Sequence, residues 1–409
     1  MRSVSTIAIG VAIALGSAAA IGTPAEAQRQ QAETSPLTKQ ERTALGALQT
    51  ALEARNYAAA STALSAAQSA ARSGYARYLA SALQLRLGIE TGNVGLQSTA
   101  IDAMIGSGAA PAAELPQLHR NQAALLQAAG KREEAEAALA RYIEVAPADA
   151  EALVALSQIK VDRKKVQEAL PLLSRAIAVR KAAGQPVPES WYRRGAGLAL
   201  MHQMAPQALP FVRELAAAYP SAINWRDAML VYRDAARPDA EAMLDAWRLA
   251  RAAKALAGER DYLQFAQALN TAGLAAESKT VLEEGVSARM VNPAKATFKD
   301  LIASSNKKAN ADRAGLNARQ TAAMAAATGT AAASAADAFL AAGDYAKAAT
   351  LYRAALQKGG VDPNVMNTRL GIALASAGQR AEAEAAFRAV TGTRAELASL
   401  WIALVAQRA

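Results

Sequence analysis

The stretch AAGDYAKAATLYRAALQKG, Ala341 to Gly359, places Gly343-Asp344-Tyr345 ahead of Ala348, Tyr352 and Ala355. The phrase SAGQRAEAEAAFRAV, Ser376 to Val390, returns to the same order with Gly378, Ala383 and Phe387. Steps of three and four residues put these side chains on one face of a helix. Gly tolerates the left-handed backbone that ends a helix. A small residue at a fixed place lets two helices touch, and an aromatic one fills the gap beside it. A chain written this way is constrained to be a series of helix pairs.

The grammar recurs upstream. One unit runs from about Pro116 to Asp149, with Gly130 at the turn, Ala135 at the crossing, Leu139 as the large residue and Pro147 as terminator. Another starts near Ala150 with Leu153, Ala169 and Leu173, and others near Glu189, Ile223 and Glu259. Residues 41–71 fit with Tyr57 and Ala60, and residues 78–108 fit loosely with Gly92 at the turn. Leu370-Gly371 stands in the first helix of the last unit, and Pro363 is read as closing the unit before it. Residues 294–328 have helical periodicity and no signature, and are read as a degenerate helix pair. Glu396 to Gln407, with Trp401 and Leu404, reads as a single capping helix over an otherwise exposed apolar face.

This pattern resembles the tetratricopeptide repeat family, whose unit is 34 residues and two antiparallel helices. The resemblance implies an all-α, right-handed superhelical solenoid of antiparallel helix pairs. The expected organisation is a signal peptide at 1–27, a flexible N-terminus at 28–40, N-terminal repeats at 41–183 and central repeats at 189–293. The degenerate pair at 294–328 follows, then C-terminal repeats with their cap at 329–409. Composition agrees with the class: hydrophobic residues make up 52% but aromatics only 5%, so Ala carries much of the apolar content. Ala is the best helix former, and a sheet protein would want more β-branched and aromatic residues.

The first residues obey other rules. Arg2, an apolar run from about Ile7 to Ile21, Pro24 and the Ala25-Glu26-Ala27 ending form the grammar of a secretory signal cleaved before Gln28. The expected location is therefore periplasmic or secreted, with no stable membrane insertion after cleavage. The chain has no Cys, which removes disulfides, thiolate metal sites and an anchor through an N-terminal Cys. The formal charge is +10 and the excess is concentrated between residues 151 and 260. No block of five or six like charges occurs, and export makes nucleic acid an unexpected partner.

Chemistry is sparse. His119 and His202 are the only histidines and stand far apart. Glu133-Glu134 suits the start of a helix, where negative charge meets the positive end of the dipole. No zinc-protease, nucleophile-elbow or phosphate-loop motif is found, so a non-enzymatic protein with no cofactor and no metal is expected. What remains is surface. In the family resembled, positions two, five, nine and twelve of each first helix point into the concave groove. Carried onto this chain, these include Gln117, Arg120, Gln127, Glu151, Gln158, Arg193, Asp227, Arg260, Gln267 and Asn270. The family's chaperone-binding carboxylate clamp is not matched. SWYRRGAG, Ser190 to Gly197, adds Trp191 beside Arg193 and Arg194, a composition found in interface anchors. Arg120, Gln158, Trp191, Arg193, Asp227, Arg260 and Gln267 are thus the candidate partner-binding residues. The expected partner is a protein or peptide held in the groove. The alternative is an accessory role in envelope polysaccharide export or assembly, with an acidic polymer or its machinery as partner, since Arg binds carboxylates and phosphates through two hydrogen bonds at once.

Overall fold

The computed structural model describes residues 37–407, in which the regular structure is helical throughout. The expected signal peptide lies outside these residues. Two compact units divide after Gln185. The first contains four hairpins: α1 (Lys39–Glu53) with α2 (Tyr57–Ala70), α3 (Gly74–Glu90) with α4 (Val94–Gly106), α5 (Leu115–Ala128) with α6 (Arg132–Val145), and α7 (Ala150–Asp162) with α8 (Val166–Ala182). Helix α1 begins inside the stretch expected to be flexible, because Thr38 and Glu41 form a reciprocal capping box there. Asn56, Ser73, Asn93 and Asp149 cap α2, α3, α4 and α7, each accepting an N–H from three residues on.

Three of the four turns share one hydrogen bond. The residue after the left-handed position donates its N–H to the carbonyl five residues back: Asn56 to Ala51, Lys131 to Leu126 and Lys165 to Lys160, at 2.9, 2.9 and 2.8 Å. This is the Schellman closure of a helix. Gly130 supplies the positive φ at one such turn, but Arg55 and Lys164 supply it at others, with φ of 54° and 61°. In these three hairpins the fourth residue of the second helix is a small residue at the crossing. Ala60, Ala135 and Ala169 are each fully buried.

The second unit continues with α9 (Glu189–Met201) and α10 (Ala205–Ala218), then α11 (Ala222–Ala236) and α12 (Ala240–Ala252). Met204 makes the same closing bond to Ala199, and Ala208 is the buried crossing residue. Between α11 and α12 the rule fails. Arg237 takes the left-handed conformation, but the next residue is Pro238, which has no N–H to donate to Arg233. Helices α11 and α12 part from hairpin packing, and α12 meets α18 and α20 from the end of the chain as well as α11 and α13. Its buried residues, Ala242, Leu244, Asp245, Ala246, Trp247, Arg248, Leu249 and Ala250, surround its axis, as befits a helix at the centre of a unit.

Hairpin geometry resumes at α13 (Glu259–Thr271) and α14 (Ala275–Ser287). The pair expected at 294–328 is instead one helix, α15 (Ala296–Ala325), of 30 residues. No Pro interrupts it, and Gly315 is helical, with only the flexible Arg319 side chain near a Cβ built on it, at 3.9 Å, so no turn is encoded. Then come α16 (Gly329–Ala341) with α17 (Tyr345–Lys358), and α18 (Pro363–Ser376) with α19 (Arg380–Arg388). Pro363 starts α18 at its first position rather than closing the preceding unit, a place where the missing N–H costs nothing. A short 3-10 turn (Gly392–Arg394) leads to α20 (Ala395–Gln407). That helix covers α19, stacking Trp401 on Phe387 at 5.6 Å and 12°. It also reaches back to the start of the unit: Gln407 donates to the Ala216 carbonyl at 2.6 Å and accepts from Trp225 Nε1 at 3.2 Å. The central and C-terminal repeats, separated in the sequence reading, are joined in this way into one unit.

Candidate partner-binding surface

The first helices of the second unit form a row tied at their N-terminal turns. Arg193 on α9 donates to Glu189 one turn back and, through Nη2, to Asn224 Oδ1 on α11 at 3.0 Å. Arg226 on α11 pairs with Asp261 on α13. Lys295, just before α15, pairs with Glu259 on α13. Arg193 therefore remains exposed, but part of its donor capacity is used inside the row. Arg260 and Gln267 on α13 are exposed, and Asp227 on α11 is half-buried. Asn270, at the end of the same helix, is turned inward to Ser278 and Ser305, each at 2.8 Å.

Trp191 is not a free anchor. It is 8% exposed and belongs to the core of α9. Tyr192 beside it meets the Tyr219 ring edge-on at 6.4 Å. Burial, with help from the Glu214 charge, pushes the Tyr192 phenol up to about 12. The aromatic half of SWYRRGAG is thus packing, and the arginine half is surface.

In the first unit, Arg120 on α5 is exposed and sits beside Tyr142 and Asp149. The Tyr142 hydroxyl donates to Asp149 at 2.6 Å. Burial opposes ionisation of Asp149, yet the Tyr142 hydroxyl, the Ala152 N–H and the Arg120 charge hold its carboxyl below the ordinary range. Gln158 on α7 is half-buried and donates to Asp162 at 2.6 Å. Behind it, Glu136 receives Lys160 at 2.6 Å and Arg163 at 2.5 Å, an ion-pair set joining the two hairpins.

Sequence reasoning did not find the most concentrated charge in the second unit. Asp245 on α12 is fully buried and receives Arg248 Nη1 at 2.8 Å and Arg394 Nη1 at 2.7 Å, with Arg369 Nε at 3.6 Å. Arg248 in turn donates to Glu277 on α14, with Nη2 at 2.6 Å. Arg369 on α18 donates to Asp337 on α16 at 2.9 Å, and the Tyr352 hydroxyl reaches the same carboxylate at 2.5 Å. Three guanidinium groups face three carboxylates across four helices and a turn. Burial opposes the charge on Arg248, but Glu277 and Asp245 outweigh it and hold the group protonated. The inner faces of α16 and α18 are therefore spent on α12 and are not an open groove. The only advance signal was the Asp245–Arg248 spacing inside an apolar run, which also fits an exposed pair. Among the described residues, no group of three or more His, Asp or Glu is placed to hold a metal ion, and no helix is long and apolar enough to cross a membrane.

No protein-family model matches the chain, and no curated protein matches it. Solved structures with similarity include a tetratricopeptide repeat protein from Parabacteroides merdae, 11% identical, covering 82% of this chain and 100% of that one, with a TM-score of 0.30. The Naa15/Naa10 complex bound to HypK-THB matches at 15% identity, over 87% of this chain and 70% of that one, with a TM-score of 0.29. The P58(IPK) TPR domain matches at 15% identity, over 83% and 98%, with a TM-score of 0.21. The assignment of this chain as all-α and tetratricopeptide-like rests on its own consecutive helix pairs, their Schellman turns and their buried crossing alanines.

Proposed function

We propose that the chain is an exported, non-enzymatic scaffold that binds a protein or peptide partner through the exposed faces of its first helices. The observation that carries this reading is the exposure of Arg120 on α5 and of Arg260 and Gln267 on α13. These polar side chains stand on first helices whose cores are otherwise complete. Stacked repeats contact mainly their neighbours, which leaves such faces free to vary with the partner. Export is proposed from the leader-like residues 1–27, and the periplasm is the proposed site of action.

A second reading, an acidic envelope polymer as partner, is favoured by the basic excess between residues 151 and 260. A pull-down from the envelope fraction tests both. Arg120→Glu combined with Arg260→Glu reverses two surface charges at little cost in helix propensity. The double variant is expected to fold by circular dichroism and to lose the captured partner. Arg141→Glu with Arg353→Glu, on second helices, is expected to keep it. Undiminished capture by the first variant would refute the reading. Capture that collapses as salt rises identifies the polymer, and capture that persists identifies the protein.

A further inference from the structure

A cavity of about 460 Å³ opens in the second unit among the end of α12, the middle of α14, the α16–α17 turn and the end of α18. Its volume is in the range of small-molecule sites. The ionic groups of its wall are Arg248, Arg251 and Lys254 against Glu277 and Glu284. Both carboxylates are already engaged. Glu277 is held by Arg248, and each oxygen of Glu284 receives one N–H of Arg251, at 2.6 and 2.9 Å.

The donors are not all engaged. The Lys254 ammonium group has no ion-pair or hydrogen-bond partner among the described residues, and the backbone, at φ 56° with its N–H on the Arg251 carbonyl, places the side chain just past the end of α12. Tyr345 and Ser376 line the same wall, and among the described residues neither hydroxyl has a hydrogen-bond partner. Trp401 lines it too. That residue is only 2% exposed, and its Nε1–H has no hydrogen-bond partner. A buried donor without an acceptor is an uncommon feature of a folded protein.

We propose that this cavity binds a small anionic polyol, its acid group seated at Lys254 and an oxygen reaching the Trp401 N–H. The reasoning is one of unspent capacity. The wall offers a free cation and free donors, while its acceptors already hold guanidinium groups. An acid group supplies acceptors and complements the excess positive charge. Ligand hydroxyls match Tyr345 and Ser376, and each Glu284 oxygen still has a lone pair for a second donor. The site is independent of the first-helix surface, so either can fail without the other.

Isothermal titration of the purified protein tests the proposal. The probes are glucuronate, glucose 6-phosphate and, as the neutral control, glucose. Binding of an anion with at least tenfold preference over glucose is expected, and the tighter anion tells a carboxylate from a phosphate source. Lys254→Gln, a change on an exposed side chain, is expected to weaken that binding at least tenfold with the melting temperature unchanged. Trp401→Phe keeps one ring against Phe387 while removing the N–H together with the rest of the indole, and it is expected to weaken binding as well. No heat with either anion, equal binding of glucose, or unchanged affinity in Lys254→Gln would each overturn the proposal.

Discussion

Asp245 and Arg394 stand 149 positions apart in the chain, and their side chains meet at 2.7 Å with both residues buried. The contact fastens the turn before the last helix to a helix in the middle of the unit. Asp245 also receives Arg248, so the carboxylate is shared. Removing one member of a buried ionic set leaves the others charged and unpaired, at a cost of about 3–5 kcal/mol. Asp245→Ala should show a loss of that size in urea unfolding followed by circular dichroism. Arg353→Ala breaks a pair with Glu382 in which both side chains are well exposed. It should cost about 0–1 kcal/mol. Similar losses for the two variants would mean that the buried set contributes nothing beyond a surface pair.

Gly371 is required by the same end of the molecule. A Cβ there would lie 2.5 Å from Phe387, the ring on which Trp401 stacks. Gly371→Ala should therefore destabilise by about 1–3 kcal/mol through overpacking, and weaken the seating of α20. Gly46, in the middle of α1, meets nothing within 4 Å. Gly46→Ala should stabilise by about 0.5–1 kcal/mol, because Ala loses less backbone freedom on folding. Thermal melts of the two variants should shift in opposite directions.

The repeat was legible because its signals are local. Gly343 and Gly378 adopt the positive φ, and Ala348 and Ala383 are fully buried at their crossings, where the spacing put them. Turns built on Arg55, Lys164 or Gln203 use the same backbone without a Gly, so composition did not mark them. Pro238 was visible, but its effect is not local. By withholding one N–H it releases α12, whose destination depends on helices more than a hundred residues later. The charges at Asp337, Arg369 and Arg394 look like surface residues until α12 is placed among them. The candidate surface was legible as residue types on first helices, whereas the packing of Trp191 and the internal use of Arg193 depend on neighbouring helices.

The register itself can be tested at adjacent positions. Ala348 is fully buried at the α16–α17 crossing, and Ala346, two residues earlier, is exposed. Ala348→Leu adds three carbon atoms where two backbones meet and should cost about 1–3 kcal/mol or more. Ala346→Leu places the same atoms in solvent on a good helix former and should fall within about 0.5 kcal/mol of the parent. Equal effects in thermal melts would show that the crossing is not where the structure puts it.

Glu41 supplies a pH-dependent prediction at the other end of the chain. One carboxylate oxygen accepts the Thr38 N–H at 2.8 Å, and the other accepts the Arg72 N–H at 3.0 Å and the Ser73 N–H at 3.3 Å. The first bond closes the capping box of α1, and the others pin the α2–α3 connection to it. These donors, Thr38 foremost and then Arg72, lower the Glu41 carboxyl from about 4.5 to about 2 against the opposing effect of burial. A carboxyl depressed in the folded state binds its proton more weakly there than in the unfolded chain. Its contribution is therefore complete above about 4.5 and disappears as pH falls toward about 2. Glu41→Gln replaces one accepting oxygen by an amide that cannot accept, so one of the two attachments is lost at any pH. The stability difference between parent and variant should be largest near neutrality and shrink steadily below pH 4.5, with urea midpoints measured from pH 7 to pH 3. A difference that stays constant across that range, or widens in acid, would show that the ionised form of Glu41 does not hold the first two hairpins together.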